Sequence, residues 1–125
     1  MNPNFNAVGQ SFQSLYYSSF DSNRATLREV YRSSSMLTFE GDQFQGQDAI
    51  TQKLTSLPFK VVQHVITTVD CQPAPNNGVL VFVVGQLKTD NDPPNGFNQA
   101  FLLMPSTGTE GYYVLNDIFR LSALL

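Results

Sequence analysis

The sequence has one cysteine, one histidine and no tryptophan. With Cys71 alone, no intrachain disulfide can form, which fits a reducing compartment, and a lone thiol on a strand-like segment reads as an inert structural residue. Charge is also scarce. Lys and Arg number 7 and Asp and Glu 10, together 14% of the 125 residues, about half the share of an ordinary domain. A net charge of −3 without any Lys/Arg cluster argues against phosphate-backbone binding and gives no basic localisation signal. The longest strongly apolar run is Val79-Leu80-Val81-Phe82-Val83-Val84, far short of the roughly 20 residues a membrane-spanning helix needs. The first basic residue is Arg24, so the charged start of a signal peptide is not seen and a soluble, intracellular protein is expected.

What is present is apolar and aromatic. The chain is 42% hydrophobic with ten Phe and five Tyr, enough to form a core and incompatible with disorder. Ser, Thr, Asn and Gln supply 40 residues and keep the surface polar without strong fields. The length suits one domain spanning residues 1–125.

Along the chain, Phe5, Val8, Phe12, Leu15, Tyr16 and Phe20 recur mostly at steps of three and four, the mark of a helix with one apolar face. Pro3 suits its first turn and Asn2 a cap. Asp21-Ser22-Asn23 interrupts the pattern and can cap a second short helix with Leu27, Val30 and Tyr31 on one face. Met36 to Glu40 is strand-like, Gly41-Asp42 a hairpin-type turn, and Ile50, Leu54 and Leu57 mark a third helix stopped by Pro58.

The period then changes to two. Strands are expected over Lys60 to Cys71, Val79 to Lys88, Phe97 to Met104 and Tyr112 to Leu121, joined by a turn at Pro73–Gly78 and loops at Thr89–Gly96 and Pro105–Gly111. Helices followed by a run of antiparallel strands make an α+β fold, a curved sheet with helices on one face and a pocket between them.

Chemistry-bearing residues are few. His64 is a candidate acid/base, but no second catalytic group stands at a recognisable spacing, and a strand histidine bonded to a neighbour explains it more simply. One His, one Cys and scattered carboxylates do not form a zinc pattern. Asp90-Asn91-Asp92 lacks the third ligand, Gly and distal Glu of an EF-hand loop. It reads either as a solvated turn or as carboxylates offered to a cationic partner. Glu40-Gly41-Asp42, beside Phe39, is a second acidic turn with the same two readings. Gly46 and Gly85 form no phosphate loop. Ser33-Ser34-Ser35 looks like a linker.

The strings Phe20-Asp21-Ser22-Asn23-Arg24, Leu37-Thr38-Phe39-Glu40-Gly41, Gln43-Phe44-Gln45-Gly46, Leu54-Thr55-Ser56-Leu57-Pro58-Phe59, Gln63-His64, Gly85-Gln86-Leu87-Lys88-Thr89-Asp90-Asn91-Asp92 and Asn116-Asp117-Ile118-Phe119-Arg120-Leu121 are collinear with the nuclear transport factor 2 family, which the chain resembles from near Phe5 to Leu121. The resemblance implies a cone-shaped, strongly bent antiparallel sheet wrapped around a long N-terminal helix, with two further short helices, and a homodimer formed through the open sheet faces.

It also implies a carrier of the small GTPase Ran in its GDP form. Acids at Glu40, Asp90 and Asp92 would face basic residues of Ran. A cavity at Phe39, Leu57, His64, Leu87, Ile118 and Phe119 would receive a Phe of its switch II region. A second implied function is weak binding of Phe-x-Phe-Gly nucleoporin repeats at Phe5. Such a carrier needs no catalytic residue, cofactor or metal, binds no nucleic acid, does not insert into membranes, and moves between cytoplasm and nucleus through the nuclear pores at the nuclear envelope. The same cone hosts isomerases and dehydratases, which would use His64 and Asp90 on a small hydrophobic ligand. It also occurs as a bare dimerisation module in larger proteins.

Overall fold

The computed structural model describes residues 1–107 and 111–122. Helix α1 spans Phe5–Ser22 and buries Gly9, Tyr16, Tyr17 and Phe20. Its start is tied down by Asn2, whose Oδ1 accepts the Asn4 N–H at 2.9 Å while its Nδ2 donates to Asn77 O at 3.2 Å and to the Tyr112 hydroxyl. At Gly9 the helix comes so close to the sheet that a Cβ would stand 2.3 Å from Cys71 Sγ and 3.1 Å from Val81 Cγ2, so a larger residue would have to displace the Cys71 side chain. Asp21 lies inside α1; Asn23 ends it by donating its N–H to Ser19 O at 2.8 Å.

A 3₁₀ helix follows at Arg24–Val30, burying Leu27. Tyr31, expected on a helical face, instead opens strand β1, Tyr31–Phe39. Ser33-Ser34-Ser35, expected to be a linker, lies within that strand where its register is broken. Strand β2 is Asp42–Gln45 and helix α2 is Gln47–Thr55, which buries Ile50 and Leu54 and leaves Leu57 beyond its end. Three long strands follow, β3 at Val62–Ala74, β4 at Gly78–Thr89 and β5 at Asn95–Pro105. Strand β6 is Tyr112–Ser122. The expected loop at Pro105–Gly111 lies partly outside the described residues.

The six strands form one sheet in the order β2-β1-β6-β5-β4-β3. All neighbours are antiparallel except β1 and β6, which run parallel with Leu37 opposite Asp117 and Phe39 opposite Phe119. A parallel pair needs a long crossover, and here β2, α2 and three strands supply it. Glu40 and Gly41, both at positive φ (52° and 90°), make the tight turn between β1 and β2 in the type I′ manner that matches strand twist. The β3 register slips between Ile66 and Thr68, opposite Gly85, an irregularity of the kind that bends a strand. A Cβ on Gly85 would stand 2.4 Å from Val65 O.

The concave face packs Val79, Val81, Val83, Phe97, Phe101, Leu103, Val114 and Phe119 with Tyr16, Tyr17 and Phe20 of α1. The opposite face leaves Leu80, Phe82, Val84 and Ile118 exposed. No helix among the described residues is long and apolar enough to cross a membrane.

Candidate partner-binding site

One end of the concave face carries an aromatic wall. The parallel register sets Phe39 beside Phe119, and their rings stack with centroids 4.7 Å apart at 11°. Phe97 continues the stack at 5.8 Å. Phe119 is buried while Phe39, Leu57 and Leu87 are half-buried at the margin of the core. Lys53 of α2 holds its Nζ 5.2 Å from the Phe39 centroid and 5.5 Å from that of Phe44, a cation–π contact that sequence reasoning did not foresee. Ile118 does not join this wall. Neighbouring strand residues point to opposite faces, so with Phe119 turned inward Ile118 lies on the open sheet face at 51% exposure.

The acids differ in how free they are. Glu40 has φ 52° and Asp90 φ 48°, a backbone region that non-glycine residues seldom occupy and that clusters at functional sites. The Glu40 carboxylate accepts the Leu121 N–H. Asp90 Oδ1 accepts the N–H groups of Lys60 at 3.1 Å and Val61 at 2.9 Å. Asp92 is exposed, Lys88 Nζ donates to its main-chain oxygen at 3.1 Å, and its carboxylate has no hydrogen-bond or ion-pair partner among the described residues.

His64 is held from several sides. Its ring is only 2% exposed and its Nδ1 stands 2.6 Å from Asp21 Oδ1, while its backbone N–H donates to Asp21 Oδ2 at 2.9 Å. The rings of Tyr17, Phe20 and Phe97 surround it at 4.7, 4.9 and 5.3 Å. The ring is thereby part of the wall of the core.

Deeper in the cone lies a polar cluster that the sequence reading passed over. Asp117, 1% exposed, accepts from Tyr31 Oη at 2.8 Å, Tyr16 Oη at 3.5 Å and Gln99 Nε2 at 2.8 Å. Gln99 Oε1 in turn accepts from Tyr17 Oη at 2.7 Å, and the Tyr16 and Tyr31 hydroxyls are 2.8 Å apart. Burial pushes the Asp117 carboxyl up to about 6, against these hydrogen bonds, which pull it down. Burial first and the Asp117 charge second raise the Tyr16 and Tyr31 hydroxyls. No buried side-chain polar atom among the described residues lacks a partner, so the network is closed. No three His, Cys, Asp or Glu among the described residues gather as metal ligands.

At the other end, Phe5 is half-buried against the core. Beside it an open groove of about 640 Å³ runs along α1 between Asn4, Val8, Phe12 and Leu15, and Gly111 with Tyr112 at the start of β6; none of its lining among the described residues is charged.

The nuclear transport factor 2 domain model matches residues 8–121. A protein of Candida glabrata named Nuclear transport factor 2 is 51% identical over 124 residues, covering 98% of each chain, and its Saccharomyces cerevisiae namesake is 50% identical over the same share. The solved structure of nuclear transport factor 2 from Cryptosporidium parvum superposes with a TM-score of 0.94 at 48% identity, covering 98% of both chains. A chain described as a scytalone dehydratase of Novosphingobium aromaticivorans shares the fold alone, at 12% identity, a TM-score of 0.77 and coverage of 94% and 83%. On the family match and these full-length identities, the chain belongs to the nuclear transport factor 2 family.

Proposed function

We propose that the chain is a non-enzymatic nuclear transport carrier that binds Ran in its GDP form, engages Phe-x-Phe-Gly nucleoporin repeats and works as a homodimer between cytoplasm and nucleus, concentrated at the pores of the nuclear envelope. The observation that carries this reading is the half-buried Phe39 stacked on Phe119, with the Glu40 turn next to it in the chain, in a chain half identical to named nuclear transport factors over nearly its full length.

Phe39, Leu57, Leu87 and Phe119 would flank an inserted aromatic side chain, with His64 shaping the wall from behind. Burying one Phe contributes roughly 2–3 kcal/mol before ordering costs, too little to select a partner. The rim acids would add selection and faster encounter through basic residues of Ran. Preference for GDP would follow from the position of switch II in that state. Exposed Leu80, Phe82, Val84 and Ile118 on the open sheet face support the homodimer, and half-buried Phe5 the repeat contact. An isomerase or dehydratase would need a reachable acid–base pair. The buried His64 ring bound to Asp21 and the closed Asp117 network support the carrier instead.

The test is a pull-down of Ran loaded with GDP or with GTP. Saturable capture of the GDP form alone is expected. Equal capture of both forms, or of neither, sinks the reading, and turnover of a small hydrophobic ligand would favour the enzyme.

A further inference from the structure

The chain between α2 and β3, residues 56–61, is largely irregular, and its backbone polar groups must find partners outside a regular ladder. Arg24 provides them at one end. Its Nη1 donates to Leu54 O at 3.2 Å and its Nη2 to Phe59 O at 2.6 Å, and the guanidinium carbon stands 5.5 Å from the Phe20 centroid. One planar fork therefore joins the last turn of α2 to the middle of the segment that carries Leu57 and Phe59, while Phe20 holds the fork in place. Arg24 has no carboxylate at ion-pair distance among the described residues, so its donors are directed at main-chain carbonyls. Further along, Asp90 takes the N–H groups of Lys60 and Val61, and Asp21 that of His64. The segment that carries Leu57 and Phe59 is thus held by side chains from outside it.

We infer that Arg24 is a positioning residue for partner recognition: it fixes the course of the segment that carries Leu57, one of the residues the Ran reading puts against an inserted aromatic side chain. This rests on the Ran reading above. Arg24 acts through the segment, with its own donors committed to Leu54 and Phe59. A lysine keeps the charge but presents a single ammonium on a flexible stem and cannot reproduce the two-carbonyl fork.

The test uses the full chain with Arg24→Lys, and Arg24→Gln as a second variant should the first fold poorly. Affinities for Ran-GDP and for a Phe-x-Phe-Gly peptide, the dimer mass and amide exchange over residues 57–61 are measured. Expected are a tenfold or greater loss of Ran-GDP affinity and faster exchange confined to 57–61, with repeat affinity and dimer mass within twofold of the parent. A purely structural role would lower both affinities together, and that result overturns the inference. So does Ran-GDP affinity within twofold of the parent, or unchanged exchange at 57–61. If the unaltered protein does not bind Ran-GDP, the carrier reading fails with it; unchanged exchange or a shared loss overturns the role of Arg24 alone.

Discussion

Asp117 and the rim acids Glu40, Asp90 and Asp92 put the same functional group into opposite surroundings. Asp117 is enclosed and takes hydrogen bonds from β1, α1 and β5. Its carboxylate joins the long helix to both sides of the sheet, and its energy is spent within the fold. The rim acids sit in two turns at the edge of the cone. Glu40 and Asp90 each fix one neighbouring stretch of backbone, and Asp92 fixes none through its carboxylate. Exposed charges contribute little to stability but can steer and select a charged partner. Burial therefore sets Asp117 to stability and leaves the turn acids exposed, free for the recognition role proposed above.

The largest effect that would break this contrast is Asp117→Ala. It removes the acceptor of three donors and leaves buried hydroxyl and amide groups unpaired, with an expected loss of about 3–5 kcal/mol in denaturant unfolding. A loss below about 1 kcal/mol would show that the network stabilises no more than a surface turn.

Next is a pH effect. The folded Asp117 carboxyl keeps its proton up to about 6, whereas the ordinary value is 3.8. Between those values the folded state binds more protons than the unfolded one, so this group's contribution falls as pH rises through the window and is level above it. The difference is about 3 kcal/mol. Comparison of Asp117→Asn with the parent by unfolding at pH 4 to 7 should show the parent losing this much more stability. Parallel curves would contradict it.

The smallest expected effect is Phe5→Ala, which should weaken Phe-x-Phe-Gly peptide binding by about 1–2 kcal/mol and leave Ran-GDP affinity within twofold. Equal losses in both would make Phe5 a core residue only.

The legibility of the sequence follows the range of the interactions. The periodicity of α1 was readable because Val8, Phe12, Tyr16 and Phe20 recur locally on one side. Tyr31 reads as helical from its neighbours alone, because its strand position is set by Val114 and Asp117 far along the chain, and the parallel β1–β6 pair has no local signature. Phe39, Glu40, Asp90 and Phe119 stand out in the sequence because they sit in family strings, and the stacking of Phe39 on Phe119 then follows from the β1–β6 register. Ile118 shares the string of Phe119, but strand alternation puts the two on opposite faces. Asp117, Arg24 and the Asp21–His64 pair also lay in those strings. Their roles became visible only with their partners, Tyr16, Tyr31, Gln99, Leu54 and Phe59, which come from other elements.

The most direct single measurement is a titration of Ran-GDP into Glu40→Lys, with the melting temperature recorded on the same sample. Binding is expected to fall at least a hundredfold, about 2.7 kcal/mol, while the melting temperature stays within about 3 °C. Parent-like affinity, or a loss of affinity that tracks a collapse in melting temperature, would contradict it.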